Sequence, residues 1–233
     1  MPDRLREDEL VASWNANAAP WIDVVRRGTI ESRRLVTDDA IVEAIAQQSP
    51  SRMLDLGCGE GWLTRRFRTS GAVCVGIDAS DELVRAAQRA DPAGKYETRT
   101  YEDLLREPKC FGSDFDLVVA NFALLGESTG QLLQSLSTSL LVPGGKLILQ
   151  TLHPWSCPMP YQDGWRTETF SAFGGLNWSP MPWYFRTLSS WVRLLCSTGY
   201  ALIELREPLH PKTGTPLSLL LIGVAQGTHP PVA

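Results

Sequence analysis

The sequence predicts an α/β fold: a doubly wound, seven-stranded, mostly parallel sheet with an antiparallel C-terminal hairpin, covered by helices as a three-layer sandwich. Three observations predict it. Between residues 52 and 152, near-continuous apolar segments alternate with amphipathic ones, as buried parallel strands alternate with their covering helices. Near the start of that region lies a strand–glycine loop–helix unit, Met53-Leu54-Asp55-Leu56-Gly57-Cys58-Gly59-Glu60-Gly61-Trp62. The last two apolar segments, 200–206 and 216–225, are joined by a connection too short for a crossover helix, so they pair antiparallel.

The chain has 233 residues, 43% hydrophobic and 21% charged, which fits one globular domain with a full core. Its net charge of -4 lacks the basic balance that tracks a phosphate backbone. The cysteines number five, an odd count without a CxxC pair, and the three histidines are far apart. Neither structural zinc nor a disulfide framework is expected, and free thiols fit a reducing compartment. The N-terminal residues are charged and unlike a signal peptide, and the longest apolar run, 217–225, is too short to span a bilayer as a helix. A cytoplasmic protein without metal, membrane or nucleic-acid partner is the expectation.

In order, residues 8–47 read as helical. A first amphipathic piece carries Leu10, Val11 and Trp14 and is expected to end at Pro20. A short second one carries Trp21, Val24 and Val25 and closes at Gly28, and a third is capped by Thr37. The two tryptophans and the pairs Arg26-Arg27 and Arg33-Arg34 make this region either a packing appendage or a lid over a ligand. Strands are expected at 52–56, 72–77, 95–99, 115–120 and 146–152, with helices after the glycine loop and at 80–90, 101–106 and 131–141. Residues 153–186 break the rhythm. They are rich in proline and aromatic residues and show no periodic element, which points to a functional insertion. A helix at 188–198 then precedes the closing hairpin. The organisation read from this is one domain, 1–233, made of an N-terminal helical cap (1–48), a ligand-binding core (49–152), an insertion or lid (153–186) and a C-terminal helix and hairpin (187–233).

The glycine loop narrows the ligand. Its spacing is GxGxG, and Trp62 stands where a dinucleotide site wants a small residue for close helix–strand packing. Glu60 is an odd companion for a phosphate pair, whereas a zwitterionic, net cationic ligand suits it. Asp78, at the tip of the second strand, is placed to accept both hydroxyls of a ribose. S-adenosylmethionine is an ion of that description.

With these residues the chain resembles the class I S-adenosylmethionine-dependent methyltransferases of Rossmann-like fold, the small-molecule type in particular. The glycine stretch, Asp78, the strand Asp116-Leu117-Val118-Val119 and Leu141-Val142-Pro143-Gly144-Gly145-Lys146-Leu147 carry the likeness over residues 50–152. The resemblance implies S-adenosyl-L-methionine as cofactor and S-adenosyl-L-homocysteine as product. It implies that Gly57, Cys58, Gly59, Gly61 and Trp62 form the methionine loop, with Asp55 orienting the loop or the ligand's amino group. Asp78 would hold the ribose, Ala79 would lie against the adenine, and Tyr101 and Glu102 stand in the register after the third strand. Asn121 and Phe122 would border the transferring methyl, and Trp14 and Arg33 would reach the cofactor from the N-terminal helices.

Methyl transfer from a sulfonium is a direct displacement that needs alignment and exclusion of water, helped by a base where the acceptor is a hydroxyl or acidic carbon. His153, at the exit of the fifth strand, is the candidate base, with bracing of the following loop as its structural alternative. Trp155, Trp183, Tyr184 and Arg186, with His153, are the candidate acceptor residues, and His210 and His229 read as loop and tail residues. The function expected is methyl transfer to oxygen, nitrogen or carbon of a small molecule, by a monomer or homodimer. The alternatives are a non-catalytic S-adenosylmethionine-binding protein and a nucleic-acid methyltransferase. The latter lacks its usual Pro-Pro-aromatic sequence after Asn121, where Phe122-Ala123-Leu124 stands instead.

Overall fold

The structure is a computed structural model and describes residues 2–173 and 177–227; the expected tail residue His229 lies outside them. Seven strands form one sheet: β1 (Arg52–Leu56), β2 (Val73–Asp78), β3 (Lys95–Thr98), β4 (Phe115–Asn121), β5 (Leu141–Leu152), β8 (Tyr200–Arg206) and β9 (Ser218–Ala225), in the order β3-β2-β1-β4-β5-β9-β8. The first five run parallel, and β9 pairs antiparallel with both β5 and β8. The topology reverses between β1 and β4, both of which start from the centre of the sheet. A doubly wound sheet opens its ligand crevice there, beyond the carboxyl ends of the strands.

The central strands are buried on both faces because helices cover both. On one face Ile41 and Ile45 of α2 (Asp38–Gln48) and Leu63 and Phe67 of α3 (Trp62–Thr69) pack on Met53, Val119 and Ile148. On the other, Leu132 and Leu133 of α6 (Thr129–Ser135) and Trp191 and Leu195 of α7 (Leu188–Ser197) pack on Leu54, Val118 and Leu147. This explains the near-continuous apolar strands. Between β2 and β3 runs α4 (Asp81–Ala90), and after β3 comes α5 (Tyr101–Arg106), whose Thr100 and Asp103 form a capping box.

The N-terminal region differs from the expectation. One helix, α1 (Pro2–Arg27), runs through Pro20 and closes at Gly28, where φ is +62°. Proline removes one backbone bond, but packing on both sides of it lets the helix continue. Trp14 and Trp21 meet edge-on at 5.2 Å, and Asn17 exchanges two bonds of 2.8 Å with the backbone of Ser179. Nor does Thr37 cap α2: it is the last residue of a π-helical turn (Arg33–Thr37) continuous with it.

Residues 153–186 also carry regular structure. Strands β6 (Gly164–Glu168) and β7 (Met181–Phe185) form a separate two-stranded antiparallel sheet. Its apolar side packs against α1: Phe170, Met181, Trp183 and Phe185 gather with Leu10 and Trp14 into a core of their own. The N-terminal helix and the insertion thus meet as one cap over the body. Among the described residues no helix is long and apolar enough to cross a membrane.

Candidate functional site

The loop after β1 turns on glycines that sit at positive φ: Gly57 at +65°, Gly59 at +57° and Gly61 at +81°. At Gly57 a Cβ atom would stand 2.5 Å from the Cβ of Ala123, and at Gly61 it would meet Tyr96 and Ala87 below 3 Å. These positions therefore require glycine for both conformation and space. Cys58 N–H donates to the carbonyl of Ile77 at 2.9 Å, and Gly59 N–H donates to Asp78 Oδ2 at 2.9 Å. The other carboxylate oxygen of Asp78 accepts from Ser80 N–H at 2.8 Å. Each oxygen keeps a further lone pair for a ligand. Burial pushes the Asp78 carboxyl above its ordinary value, against the backbone donors that hold it down.

Beneath the loop, Asp55 is buried and accepts from Thr64 Oγ1 at 2.6 Å. Its pKa is pushed up to about 7, mainly by burial. Glu60 is buried as well and is held by Arg65 of α3, at 2.9 Å to each oxygen, and by Arg26 of α1 at 3.2 Å. The glycine loop thereby anchors the end of the cap helix. The other end is anchored by Glu7, which accepts from Ser128 N–H at 2.9 Å beyond β4.

Between loop and cap lies a cavity of about 530 Å³. The body contributes Gly57, Cys58, Gly59, Asp78 and Ala79, the post-β3 segment Thr100, Tyr101 and Glu102, and the post-β4 segment Asn121, Phe122 and Ala123. The cap supplies Val11, Trp14, Trp21 and Val25 along one helical face, with Glu7 and Asp8 at its start. Arg33 enters from the side, paired with Asp38 at 2.9 Å and stacked 5.0 Å over the Trp62 ring. The lining carboxylates Glu7, Asp8, Glu60, Asp78 and Glu102 face Arg33 as the one guanidinium among the described lining residues. The side-chain oxygen of Asn121 is buried without a protein partner, and Phe122 beside it holds φ at +53°. Tyr101 donates to the Ala123 carbonyl at 3.2 Å. Its phenol and the Cys58 thiol are pushed upward, chiefly by burial and then by the neighbouring aspartates, so both stay protonated.

Residues 30–205 match the family described as a methyltransferase domain. The chain belongs to this family.

Its relatives among curated proteins include a malonyl-[acyl-carrier protein] O-methyltransferase of Pseudescherichia vulneris, 31% identical over 53% of this chain and 48% of that protein. A ubiquinone biosynthesis O-methyltransferase of Xanthomonas axonopodis pv. citri is 33% identical over 48% of this chain and 47% of its own. The matches thus span about half the length of these curated relatives. Among solved structures, a Burkholderia thailandensis 1,6-didemethyltoxoflavin N1-methyltransferase superposes with a TM-score of 0.67 at 18% identity, covering 96% of this chain and 90% of that one. An S-adenosylmethionine-dependent methyltransferase of Mesorhizobium loti does so with a TM-score of 0.60 at 23% identity, covering 78% and 96%. At these identities the structural likeness speaks for the fold, the Rossmann-like methyltransferase fold.

The family's cofactor is S-adenosylmethionine, and the residues present fit it. A net-negative cavity, a cradle that any Cβ at Gly57 would fill and the unpartnered acceptor of Asn121 all suit a cationic, donor-rich ligand better than a phosphate. Of the residues expected to hold the cofactor, Gly57, Cys58, Gly59, Trp62, Asp78, Ala79, Tyr101, Glu102, Asn121, Phe122, Trp14 and Arg33 line the cavity of this methyltransferase. Asp55 and Gly61 do not. The first lies beneath the loop on Thr64, and the second starts α3 with its α-carbon toward Tyr96.

The expected acceptor residues fall elsewhere. His153 is buried directly after β5, its Nε2 2.8 Å from Glu207 Oε1 and its Nδ1 accepting from Trp155 N–H at 3.3 Å. It caps a 3-10 turn (Pro154–Ser156), which is the bracing role, and it does not line the cavity. Trp155 is exposed. Trp183 lies in the cap core, while Tyr184 stacks edge-on Trp165 at 5.6 Å. Arg186 is buried between the rings of Tyr184 and Trp191 and donates to the Glu127 carbonyl at 2.7 Å. Tyr184 and Arg186 hold the post-β4 segment from behind, through the carbonyls of Leu125 and Glu127. Of the cavity face of α1, Trp14 was expected at the cofactor and the helix as a possible lid, whereas Val11, Trp21 and Val25 were not named as lining residues. Their signal was present in the spacing of Val11, Trp14, Trp21 and Val25, which share one helical face.

Proposed function

We propose that this methyltransferase moves a methyl group from S-adenosylmethionine to a small-molecule acceptor by direct displacement, within one roofed cavity. The observation that carries this reading is the single space of about 530 Å³ that joins the glycine loop and Asp78 to the aromatic face of α1. Spaces of that size take small molecules. The helix α1, bonded to the body at Glu60 and at Ser128, covers this space from the side of the loop. The O-methyltransferases among the relatives agree with a small acceptor, although their substrates are their own.

In this reading the cofactor, when bound, supplies an electrophilic methyl group on a sulfonium. Gly57 and Gly59 bring the backbone close to its methionine part, Asp78 accepts from the ribose hydroxyls, and Ala79 and Tyr101 flank the base. The Asn121 oxygen accepts a hydrogen bond near the reacting centre. Trp14 and Trp21 exclude water and hold the acceptor against the donor, the alignment that such a displacement needs. The N-terminal helix and residues 153–186 act together as the cap, and the rest of the chain as the body, of one domain.

Calorimetry with S-adenosylmethionine and S-adenosylhomocysteine tests the donor, and binding of neither overturns the reading. Release of S-adenosylhomocysteine across a panel of phenols, carboxylic acids, amines and activated carbon acids tests the acceptor. Donor binding without turnover on any small acceptor would favour the non-catalytic binding protein.

A further inference from the structure

The two open edges of the sheet are built differently. The edge at β3 is four residues long and carries the ion-paired Lys95 and Glu97, 3.7 Å apart. Its shortness leaves little backbone for a partner strand to pair with. The edge at β8 is seven residues long, contains neither lysine nor proline, and exposes Ile203 (55%) and Leu205 (38%). Its charges, Glu204 and Arg206, stand two residues apart and pair at 2.6 Å. Arg206 also reaches Gln47 and Glu43 of α2, so the acid–base pair lies on the α2 side of the sheet and Leu205 on the other, while the pairing with β9 shifts register at Ile203, a bulge that stops short of Leu205.

We propose that β8 is a homodimer edge, where a second copy of the chain adds its own β8 antiparallel about a two-fold axis at Leu205. An isologous contact must be self-complementary. An axis at Leu205 sets Glu204 of each copy opposite Arg206 of the other, and Leu205 against Leu205. An axis one residue earlier would set Glu204 against Glu204, and like charges directly opposite destabilise. Of these two axes the charge pattern favours the one at Leu205. The contact joins the two sheets into one, with open backbone groups as the glue.

Light scattering after size exclusion tests this on the full chain. The wild type is expected at twice the chain mass of 25.8 kDa, and a monomer at every loading would overturn the proposal. Leu205→Lys sets two lysines on the axis and is expected to give a monomer; a dimer as tight as wild type overturns the edge. Glu204→Arg is expected to dissociate the dimer, and the swap Glu204→Arg with Arg206→Glu to restore it. A swap that stays monomeric while calorimetry still shows wild-type donor binding overturns the register.

Discussion

Gly59 N–H points at the carboxylate of Asp78, 2.9 Å away, so the loop that leaves β1 is fastened to the tip of β2 by the residue proposed to hold the ribose. One side chain both shapes the cradle and faces into it. Asp78→Ala is therefore expected to weaken S-adenosylmethionine binding by about 10- to 100-fold, from about 1.5–3 kcal/mol per lost charged hydrogen bond. Calorimetry checks this, and an affinity within twofold of wild type would remove Asp78 from the site.

Glycine substitutions separate conformation from space. Gly28 and Gly57 hold almost the same φ, +62° and +65°, but a Cβ meets nothing within 4 Å at Gly28 and meets Ala123 at 2.5 Å at Gly57. Gly28→Ala is expected to cost about 1 kcal/mol, the left-handed conformation alone. Gly57→Ala adds overpacking of about 1–3 kcal/mol and blocks the cradle. Urea midpoints and donor titrations distinguish them, the first variant binding normally and the second not.

The pH dependence of stability carries the mark of Asp55. Its carboxyl is ionised above about 3.8 when unfolded, but folded it keeps its proton to about 7. Between those values the folded state binds more protons, so stability falls as pH rises through the window and levels off above it. In Asp55→Asn the slope over this window is expected to flatten. Urea unfolding of the donor-free protein at about pH 4.5, 6 and 7.5 measures it, and an unchanged slope would place the effect on another group.

The cap is expected to loosen without unfolding the body when its anchor is cut. Arg26 is half exposed, so its bond to Glu60 is worth about 0.5–1 kcal/mol. Arg26→Met should barely move the global midpoint while raising amide exchange in the second half of α1. Uniform exchange along α1 in variant and wild type would contradict the anchoring role.

The glycine loop, Asp78 and the mostly parallel sheet with its closing hairpin were legible because backbone physics dictates them. Positive φ and close approach admit only glycine at Gly57, and parallel strands covered on both faces are mostly apolar. The β6–β7 hairpin was hidden because Pro182 stands inside β7, and a proline demotes a strand when read locally. Here the ladder tolerates it because the pair has only two strands. Pro20 misled in the same way, since the Asn17–Ser179 clamp that holds its helix lies 162 residues apart in sequence. His153 looked catalytic by its place at a strand end. Which way that end turns depends on Glu207, beyond β8, and no local pattern reports it.

The cap core joins Leu10 and Trp14 to Met181, Trp183 and Phe185. Neither segment can bury its apolar face without the other. The roof over the cavity is therefore the joint product of two stretches far apart in the chain. A chimera that grafts only the N-terminal helix, or only the insertion, from a relative would expose an unmatched apolar face, whereas exchanging both together transplants a finished roof.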